Sequence, residues 1–394
     1  MARPTLPRTI WVLGLTSLLM DSSSEIVHAI LPLFLTAGLG STPAVVGLID
    51  GIAEATANVT KIFSGALSDY WRSRKAIAAF GYALSAASKF LFPLADSAVT
   101  VLVGRFVDRL GKGIRGAPRD ALIADWVTPE QRGYAYGVQQ ALDNAGAVIG
   151  PLAAVLLLTA HHGQFTAVLW WAVLPALASA TVIALGAKEP DVTRPPGKAR
   201  FSLRRAELAR LGRPFWVLTA VLLVMLLPRF SEAFMLLRGT GLGIAIDWSP
   251  MVLVVMNAVS VPVTPLAGIW SDRVGRPALI LGGFVVLAVS HLLFALATTP
   301  AAVFVAAALW GIHVGMTQGV FSALIADHAP AELRGTAFGV FNLAAGIAVL
   351  AGSFGMGLVW DAIGPAYAFG IAAGLTVLGV ALLVLTVRRP RAAA

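Results

Sequence analysis

The chain carries one stretch of its sequence twice. Residues Ala121–Gln139 read ALIADWVTPEQRGYAYGVQ, and residues Ala323–Phe341 read ALIADHAPAELRGTAFGVF, with identity at 11 of 19 positions and an offset of 202 residues. A shorter pair, GALSD at Gly65–Asp69 and GIWSD at Gly268–Asp272, recurs at an offset of 203. Repetition at a nearly constant offset indicates internal duplication. We therefore predict two related halves.

The composition places these halves in a membrane. Of the 394 residues, 58% are hydrophobic and only 12% are charged, and the mean hydropathy is +0.81. A soluble domain has about 25% charged residues. The 39 Gly and 22 Pro are compatible with membrane helices. The chain has no Cys, which excludes disulfides, a thiol nucleophile and a cysteine-ligated metal.

The apolar stretches predict twelve spans, because a helix needs about 20 residues to cross the hydrocarbon layer. They lie at residues 9–37, 42–68, 76–95, 98–118, 134–159, 165–187, 214–237, 246–270, 277–297, 300–325, 335–360 and 365–387. The predicted fold class is an all-α polytopic membrane protein with two parallel six-helix bundles, residues 1–187 and 214–394. Residues 188–213 hold eight Lys/Arg and form a basic linker between the bundles.

The positions of the basic residues predict the orientation. Lys and Arg are concentrated in the linker and in alternate short loops, and loops of this kind stay in the cytoplasm. We therefore predict a multi-pass protein of the cell inner membrane with both termini cytoplasmic. The net charge of +9 follows from this topology and does not indicate a nucleic-acid partner.

The first half has ionisable residues inside its predicted spans, where an unpaired charge is costly. Asp21, Glu25 and His28 follow an i, i+4, i+7 spacing and share one face of span 1. The other polar positions of this half are Asp50, Glu54, Asn58 and Lys61 on span 2, Arg105, Asp108, Arg109 and Lys112 on span 4, and Asp143 and Asn144 on span 5. Each polar stripe has to face protein, water or cargo.

The second half has fewer charges within its spans. Span 7 carries Arg229 and Glu232. Its other polar positions are Asn257, His291, His313, Gln318 and Asn342. We therefore expect the ionic contacts of a transported molecule to come mainly from the first half.

The duplicated motifs resemble the major facilitator superfamily. The signature between its spans 2 and 3, Gly-x-Leu-x-Asp-Arg-x-Gly-Arg-Lys, is similar to this chain at Gly65, Leu67, Asp69, Arg74 and Lys75, and in the second copy at Gly268, Asp272, Arg273, Gly275 and Arg276. The antiporter-type motif Gly-x-x-x-Gly-Pro is matched in span 5 by Gly146, Gly150 and Pro151. The resemblance implies a secondary transporter, not an enzyme, that works by alternating access without a cofactor.

The loop signature also has a physical interpretation. Gly65 and Gly268 lack side chains and allow neighbouring helices to approach closely. Asp69 and Asp272 are expected to accept hydrogen bonds from helix N-termini or to pair with arginine. Such pairs would latch the two halves together.

Within this resemblance we favour proton-coupled efflux of a small solute or cation. A carboxylate beside an arginine stays ionised, whereas one against an apolar wall can take up a proton. Asp21 and Glu25 are the first candidates for the coupling acid, Glu54 is the second, and Arg109 would bias their charge. Two pairings stay open as plain packing pairs, namely Asp108 with Arg109, and Lys61 with Glu54 or Asn58. The expected partners of a monomer are the substrate, protons and the lipid bilayer.

Two alternatives remain. A proton symporter or facilitator would import a small anionic or chelate substrate through Arg109 and Lys112. Asp21, Glu25 and His28 also offer ligands for a divalent metal, and DSSSE at Asp21–Glu25 and GKGIRGAPRD at Gly111–Asp120 resemble bacterial permeases that include nickel-resistance exporters. Ligands on one helix do not complete a metal site, so a buried, hydrogen-bonded histidine is the simpler interpretation of His28.

Overall fold

In a computed structural model of the chain, residues 6–71, 73–190, 205–317, 321, 324–325, 329–330 and 333–387 are described. Side chains are not described at residues 65–71, 205–207, 272, 334 and 387. The described part consists of helices and their connections and contains no strand.

The helices follow the predicted spans closely. Their bounds are α1 Arg8–Leu33, α2 Pro43–Trp71, α3 Arg74–Ser88, α4 Ala98–Trp126, α5 Arg132–Ala160, α6 Phe165–Gly186, α7 Arg205–Arg210, α8 Gly212–Leu226, α9 Ala233–Gly241, α10 Met251–Val274, α11 Arg276–Leu296, α12 Pro300–Thr317, α13 Arg334–Ile363 and α14 Pro365–Val387. A π-helical turn at Phe34–Gly38 extends α1, and short 3-10 turns occur at Lys89–Leu91, Pro129–Gln131 and Ile246–Trp248.

Eight helical stretches in the described part are long and apolar enough to cross a membrane. The helix α4 is not among them, although it has 29 residues, because it contains too many charged side chains. Charges in a helix of this length require neighbours that neutralise or hydrate them. Its surroundings therefore define the candidate site.

The structure corrects the prediction of one continuous span at 214–237. The chain leaves the helical path between α8 and α9, from Leu227 to Glu232. Pro228 lies in this break and has no backbone N–H with which to continue the helical hydrogen bonds. Arg229 and Glu232 consequently belong to a helix break instead of a regular span.

The described helix α4 also extends beyond the predicted end at residue 118. It passes through Pro118 and ends at Trp126. Proline is tolerated inside membrane helices when neighbouring groups satisfy the freed backbone. The extension adds Arg119 to the polar face of α4.

The residues form two compact units. Unit 1 comprises residues 1–40, 52–200 and 246–250, and unit 2 comprises residues 41–51, 201–245 and 251–394. The linker 188–213 lies mostly outside the described residues, so the predicted bundle boundaries stay a prediction.

Unit 1 is held together by close packing of α1 against α5. A Cβ on Gly146 would lie 3.0 Å from the carbonyl oxygen of Leu18, and one on Gly150 would lie 2.8 Å from that of Ser22. Pro151, which follows Gly150, is buried within α5. The Gly-x-x-x-Gly-Pro motif therefore serves here as a contact surface for α1.

Unit 2 contains a comparable contact between the start of α2 and α13. A Cβ on Gly51 would lie 2.9 Å from the Cα of Leu350, and one on Gly357 would lie 2.8 Å from the backbone nitrogen of Ala44. Asp361 accepts a hydrogen bond of 3.1 Å from the same Ala44 nitrogen. Glycine thus brings two backbones together, and a carboxylate satisfies the first turn of α2.

Two of the polar residues predicted for the second half, His291 and His313, join helices of unit 2, and Gln318 lies outside the described residues. His291 is fully buried, lies 3.1 Å from the Thr376 hydroxyl through Nδ1, and stacks on Phe230. His313 lies 2.9 Å from the carbonyl oxygen of Gly283 through its own Nδ1. Both imidazoles fasten helices of unit 2 to one another.

Candidate functional site

Five basic residues run along one broad face of α4. They occur at intervals of three or four residues: Arg105, Arg109, Lys112, Arg115 and Arg119. Arg105, Arg109 and Arg115 are buried, whereas Lys112 is exposed. We call these five residues the α4 basic row. Sequence reasoning had recognised the first three and missed the last two.

Arg109 pairs with Glu54 of α2. The Arg109 Nη1 lies 3.3 Å from Glu54 Oε1. The Arg109 side chain is 3% exposed, whereas that of Glu54 is 41% exposed. The structure thus brings together two residues that the sequence had proposed as partners, in place of a pair between Glu54 and Lys61. Asn58, one turn further along α2, is partly buried.

Arg115 pairs with Asp21 of α1. Its Nη2 lies 3.5 Å from Asp21 Oδ1, and its Nη1 donates a hydrogen bond of 2.7 Å to the Ser85 hydroxyl. The guanidinium also lies over the ring of Tyr82, 4.7 Å from its centroid. Asp21 is 23% exposed, so this carboxylate, like Glu54, is the accessible member of its pair.

Arg119 pairs with Asp143 of α5. The Arg119 Nη1 lies 3.4 Å from Asp143 Oδ2 and 2.9 Å from the Ser17 hydroxyl, to which it donates a hydrogen bond. Gln139 donates a further hydrogen bond of 2.9 Å to Asp143. Asp120, next to Arg119 in sequence, lies 2.9 Å from its Nη2. Three arginines of the α4 basic row therefore hold carboxylates from three different helices.

Asp108 forms an ion pair with Lys89. The Lys89 ammonium donates hydrogen bonds of 2.9 Å to Asp108 Oδ1 and 3.0 Å to the Ser24 hydroxyl. Both charged side chains are buried, Lys89 completely. Sequence reasoning had missed Lys89. Its signal is the spacing of Gly81, Ser85 and Lys89, which places a single lysine on a small-residue face of α3.

The three candidates on α1 have separate contacts. His28 Nδ1 lies 3.3 Å from Arg105 Nη2, whereas Asp21 pairs with Arg115. Glu25 packs against Gly150 of α5. Among the described residues, no group of three or more His, Asp or Glu is arranged to hold a metal ion. The weak metal hypothesis for Asp21, Glu25 and His28 therefore gains no structural support.

The first copy of the loop signature is fastened within unit 1. Arg74 forms an ion pair of 2.6 Å with Asp125 of α4. The backbone nitrogens of Arg74 and Lys75 donate to the carboxylate of Glu189, at 3.1 and 2.7 Å. A carboxylate at the N-terminus of α3 is favoured by the helix dipole. The predicted contributions of Gly65 and Asp69 lie outside the described side chains.

The second copy of the signature differs from the prediction. No described atom lies within 4 Å of a Cβ built on Gly268, so the expected close helix approach is absent there among the described residues. Gly275 has a φ of +83° and separates α10 from α11. Arg273 is exposed, Arg276 begins α11, and the side chain of Asp272 is outside the described set.

Asp50 and Ser231 stabilise the helix break that carries Arg229 and Glu232. Ser231 donates a hydrogen bond of 2.6 Å to the buried Asp50, and its backbone nitrogen donates one of 3.0 Å to Ser353. Discontinuous helices with polar side chains at the break occur at binding sites of transporters. In the sequence, Pro228 is the residue that indicates this helix break.

The family model described as Major Facilitator Superfamily matches residues 13–263 and 239–394. These two matches together cover nearly the whole chain. The chain belongs to the major facilitator superfamily. The duplicated halves and the charged residues within its spans agree with this assignment.

Relatives in this superfamily match over most of their length. The chain is 28% identical to an uncharacterised MFS-type transporter of Methanocaldococcus jannaschii over 388 residues, which cover 96% of this chain and 94% of that protein. It is 24% identical to the multidrug resistance protein MdtH of Aeromonas hydrophila over 352 residues, 89% of this chain and 87% of the relative.

Solved structures of superfamily transporters share the fold. The POT family transporter PepTSo superposes with a TM-score of 0.80 at 12% identity, covering 98% of each chain. The nucleoside transporter NupG, as a D323A mutant, superposes with a TM-score of 0.79 at 13% identity, covering 96% of this chain and 99% of that one. The predicted fold class is therefore confirmed, and the major facilitator protein described here is a membrane transporter and not an enzyme.

Proposed function

We propose that this transporter exports a small cationic solute in exchange for protons, with Glu54 and Asp21 as the carboxylates that alternate between arginine, proton and cargo. Secondary transport follows from the superfamily. The proton and the cationic cargo are inferred from the ion pairs of the α4 basic row, and the direction is inferred from the name of a relative.

The observation that carries this proposal is an asymmetry of exposure. In the pair Glu54–Arg109 the carboxylate is 41% exposed and the guanidinium 3%. In the pair Asp21–Arg115 the corresponding values are 23% and 5%. A species that enters unit 1 therefore meets carboxylate oxygen before it meets guanidinium. Carboxylate oxygen attracts protons and cations and repels anions.

The depth of these carboxylates supports the same function. Glu54 lies near the middle of α2, and Asp21 lies near the middle of α1. An accessible carboxylate at such a depth requires water or cargo beside it, because hydrocarbon does not solvate a charge. The buried arginine stabilises the ionised acid while the site is empty.

Exchange follows from competition for the same oxygen atoms. A proton on Glu54 cancels the charge that attracts both Arg109 and a cationic cargo. Loss of that proton restores both attractions. Cargo and proton therefore exclude each other at the carboxylate, and two ligands that exclude each other move in opposite directions through one alternating site. Export is favoured because a relative in the superfamily is named a multidrug resistance protein.

One observation supports a second candidate function. Lys112 is the exposed member of the α4 basic row and lies one turn from Arg109. An exposed lysine attracts anions. Import of a small anionic or chelate substrate by symport or facilitated diffusion would use Lys112 as the first contact.

Proteoliposomes with an imposed pH gradient distinguish these functions. Purified transporter is assayed with a panel of small organic cations and anions, each measured with and without the gradient. Exchange predicts cation accumulation opposite to the proton flux. A symporter would accumulate an anion along the proton flux, and a facilitator would be indifferent to the gradient.

Amide variants test the coupling residues. Glu54→Gln and Asp21→Asn should lose gradient-driven transport, because an amide neither binds a proton near neutral pH nor attracts a cation. Asp96→Asn is the matched control, since Asp96 is exposed in the connection before α4 and lies outside the basic row. Normal driven transport by both amide variants, with an unchanged pH profile, would refute the proposal.

A further inference from the structure

The buried ion pair Lys89–Asp108 contains charges that the proposed exchange does not use. Lys89 is fully buried and Asp108 is 2% exposed. Neither is as accessible as Glu54 or Asp21. A buried pair of this kind has two possible roles. It either passes protons between sites, or its two charges neutralise each other in a fixed structure.

The geometry favours a fixed element. The Lys89 ammonium has two hydrogen-bond acceptors, Asp108 and Ser24, and lies 5.8 Å from the ring centroid of Phe92. These contacts join α3, α4 and α1 within unit 1 at one point. These contacts hold the Lys89 ammonium in one position, which favours a fixed role over a role in carrying protons.

The arrangement of α3 and α4 explains why the ammonium reaches Asp108. A Cβ on Gly81 would lie 2.8 Å from the carbonyl oxygen of Gly111, so the two backbones are in contact. The Ser85 hydroxyl, one turn further along α3, donates a hydrogen bond of 3.0 Å to the backbone carbonyl of Asp108. Lys89 follows Ser85 by four residues and therefore points at the same stretch of α4.

The other cations near Asp108 form ion pairs with other carboxylates. Arg109 and Arg115 also interact electrostatically with Asp108. These two arginines hold Glu54 and Asp21, respectively. An Asp108 without Lys89 would be a buried anion, and it would draw on the arginines that the two accessible carboxylates require.

We infer that Lys89 is a positioning residue, which neutralises Asp108 and thereby reserves Arg109 and Arg115 for Glu54 and Asp21. This inference rests on the proposed function. It also gives Asp108 a fixed role as the anion that Lys89 neutralises. The charge of Lys89 matters only because Asp108 is charged, so removal of both charges should be tolerated where removal of Lys89 alone is not.

A set of four variants tests this inference by transport. Lys89→Met should reduce gradient-driven transport by at least about tenfold, and Lys89→Met combined with Asp108→Asn should restore it to within about threefold of the wild type. Asp108→Asn alone should lose less transport than Lys89→Met, because no anion remains to compete for the arginines and the Lys89 ammonium keeps its hydrogen bond to Ser24. Lys61→Met, at an exposed lysine of α2, is the matched control and should have no effect.

A second measurement is independent of transport. A double-mutant cycle of Glu54→Gln and Arg109→Gln, read as thermal stability of the detergent-solubilised protein, gives the coupling between these residues. The coupling should fall by more than about half in the Lys89→Met background and return when Asp108→Asn is added. If Lys89→Met alone does not fold, the same cycle in Asp108→Asn and in the double variant should equal the wild-type value.

The outcomes separate the two proposals. If Asp108→Asn abolishes driven transport and the double variant is equally inactive, Asp108 itself carries the coupling and the role of Lys89 is overturned. The same conclusion follows if the cycle shows no change on Lys89→Met. If the wild type ignores the pH gradient, the exchange function fails, while the stability cycle still decides whether Lys89 positions Arg109.

Discussion

The hydroxyl of Ser231 donates a hydrogen bond of 2.6 Å to Asp50 and accepts one of 3.1 Å from the backbone nitrogen of Ala233. Asp50 lies on α2, whereas Ala233 begins α9 after the helix break. One serine therefore connects a buried carboxylate to the first backbone nitrogen of a helix. Side-chain oxygens stabilise helix starts in this way.

Loss of this serine should weaken unit 2. Ser231→Ala removes one hydrogen-bond donor from Asp50 and removes the Ser231 hydroxyl that accepts from the Ala233 nitrogen. A hydrogen bond to a charged group contributes about 1.5–3 kcal/mol, so we expect a clear fall in the melting temperature in detergent. Ser271→Ala is the control, because the Ser271 hydroxyl donates to the Gly268 carbonyl of its own helix in an exposed position. Equal melting temperatures for the two variants would contradict the role assigned to Ser231.

Two of the four glycines of α5 predict opposite effects of one substitution. Gly150→Ala places a Cβ against Ser22 and Glu25 of α1 and should destabilise the protein by about 1–3 kcal/mol, as overpacking does. Gly137→Ala meets no described atom within 4 Å and should stabilise the helix by up to about 1 kcal/mol. Thermal unfolding of the two variants measures the difference. Destabilisation by Gly137→Ala as large as that by Gly150→Ala would contradict the assignment of the Gly150→Ala effect to the contact with α1.

Arg238 should contribute to stability through the end of α11. Its guanidinium donates to the carbonyl oxygens of Phe294, Ala295 and Ala297 at 3.0, 3.4 and 2.8 Å. A cation at a helix C-terminus is favoured by the dipole and satisfies carbonyls that have no helical partner. Arg238→Ala should therefore cost about 1.5–3 kcal/mol, and Arg238→Lys should recover only part of this, because an ammonium lacks the planar fork.

The control for Arg238 is Arg210→Ala, at an exposed position. Both variants lose one positive charge, so a difference between their melting temperatures reports the carbonyl contacts alone. A fully stable Arg238→Lys variant would mean that charge near the helix end is sufficient and that the fork geometry is irrelevant.

The sequence was sufficient for the fold because its signals are periodic. Apolar stretches of span length and the repeat at Ala121–Gln139 and Ala323–Phe341 predicted a duplicated helical membrane protein. Helical spacing also placed Asp21, Glu25 and His28 on one face, and all three are partly buried on α1. Periodicity along one helix is visible without any knowledge of its neighbours.

The pairings within the site were less predictable because they depend on contacts between helices. Asp108 was considered as a partner of its neighbour Arg109, but adjacent residues on a helix point about 100° apart and do not face each other. Its partner Lys89 lies in the 3-10 turn directly after α3, at a place fixed by the backbone contact between Gly81 and Gly111. Arg119 lies beyond the predicted end of the span at residue 118, whereas the pairing of Arg115 depends on Asp21 of α1 and is not visible in the pattern of α4 alone.

The absence of cysteine makes the predicted topology directly testable. Glu130→Cys lies in the connection between α4 and α5, which the positive-inside rule places in the cytoplasm, and Gln164→Cys lies in the connection between α5 and α6, predicted outside. Both residues are exposed. A membrane-impermeant maleimide added to intact cells should label Gln164→Cys and should label Glu130→Cys only after the membrane is permeabilised. Because the parent chain has no thiol, it provides a blank, and the opposite labelling pattern would invert the predicted orientation and the direction of the proposed exchange.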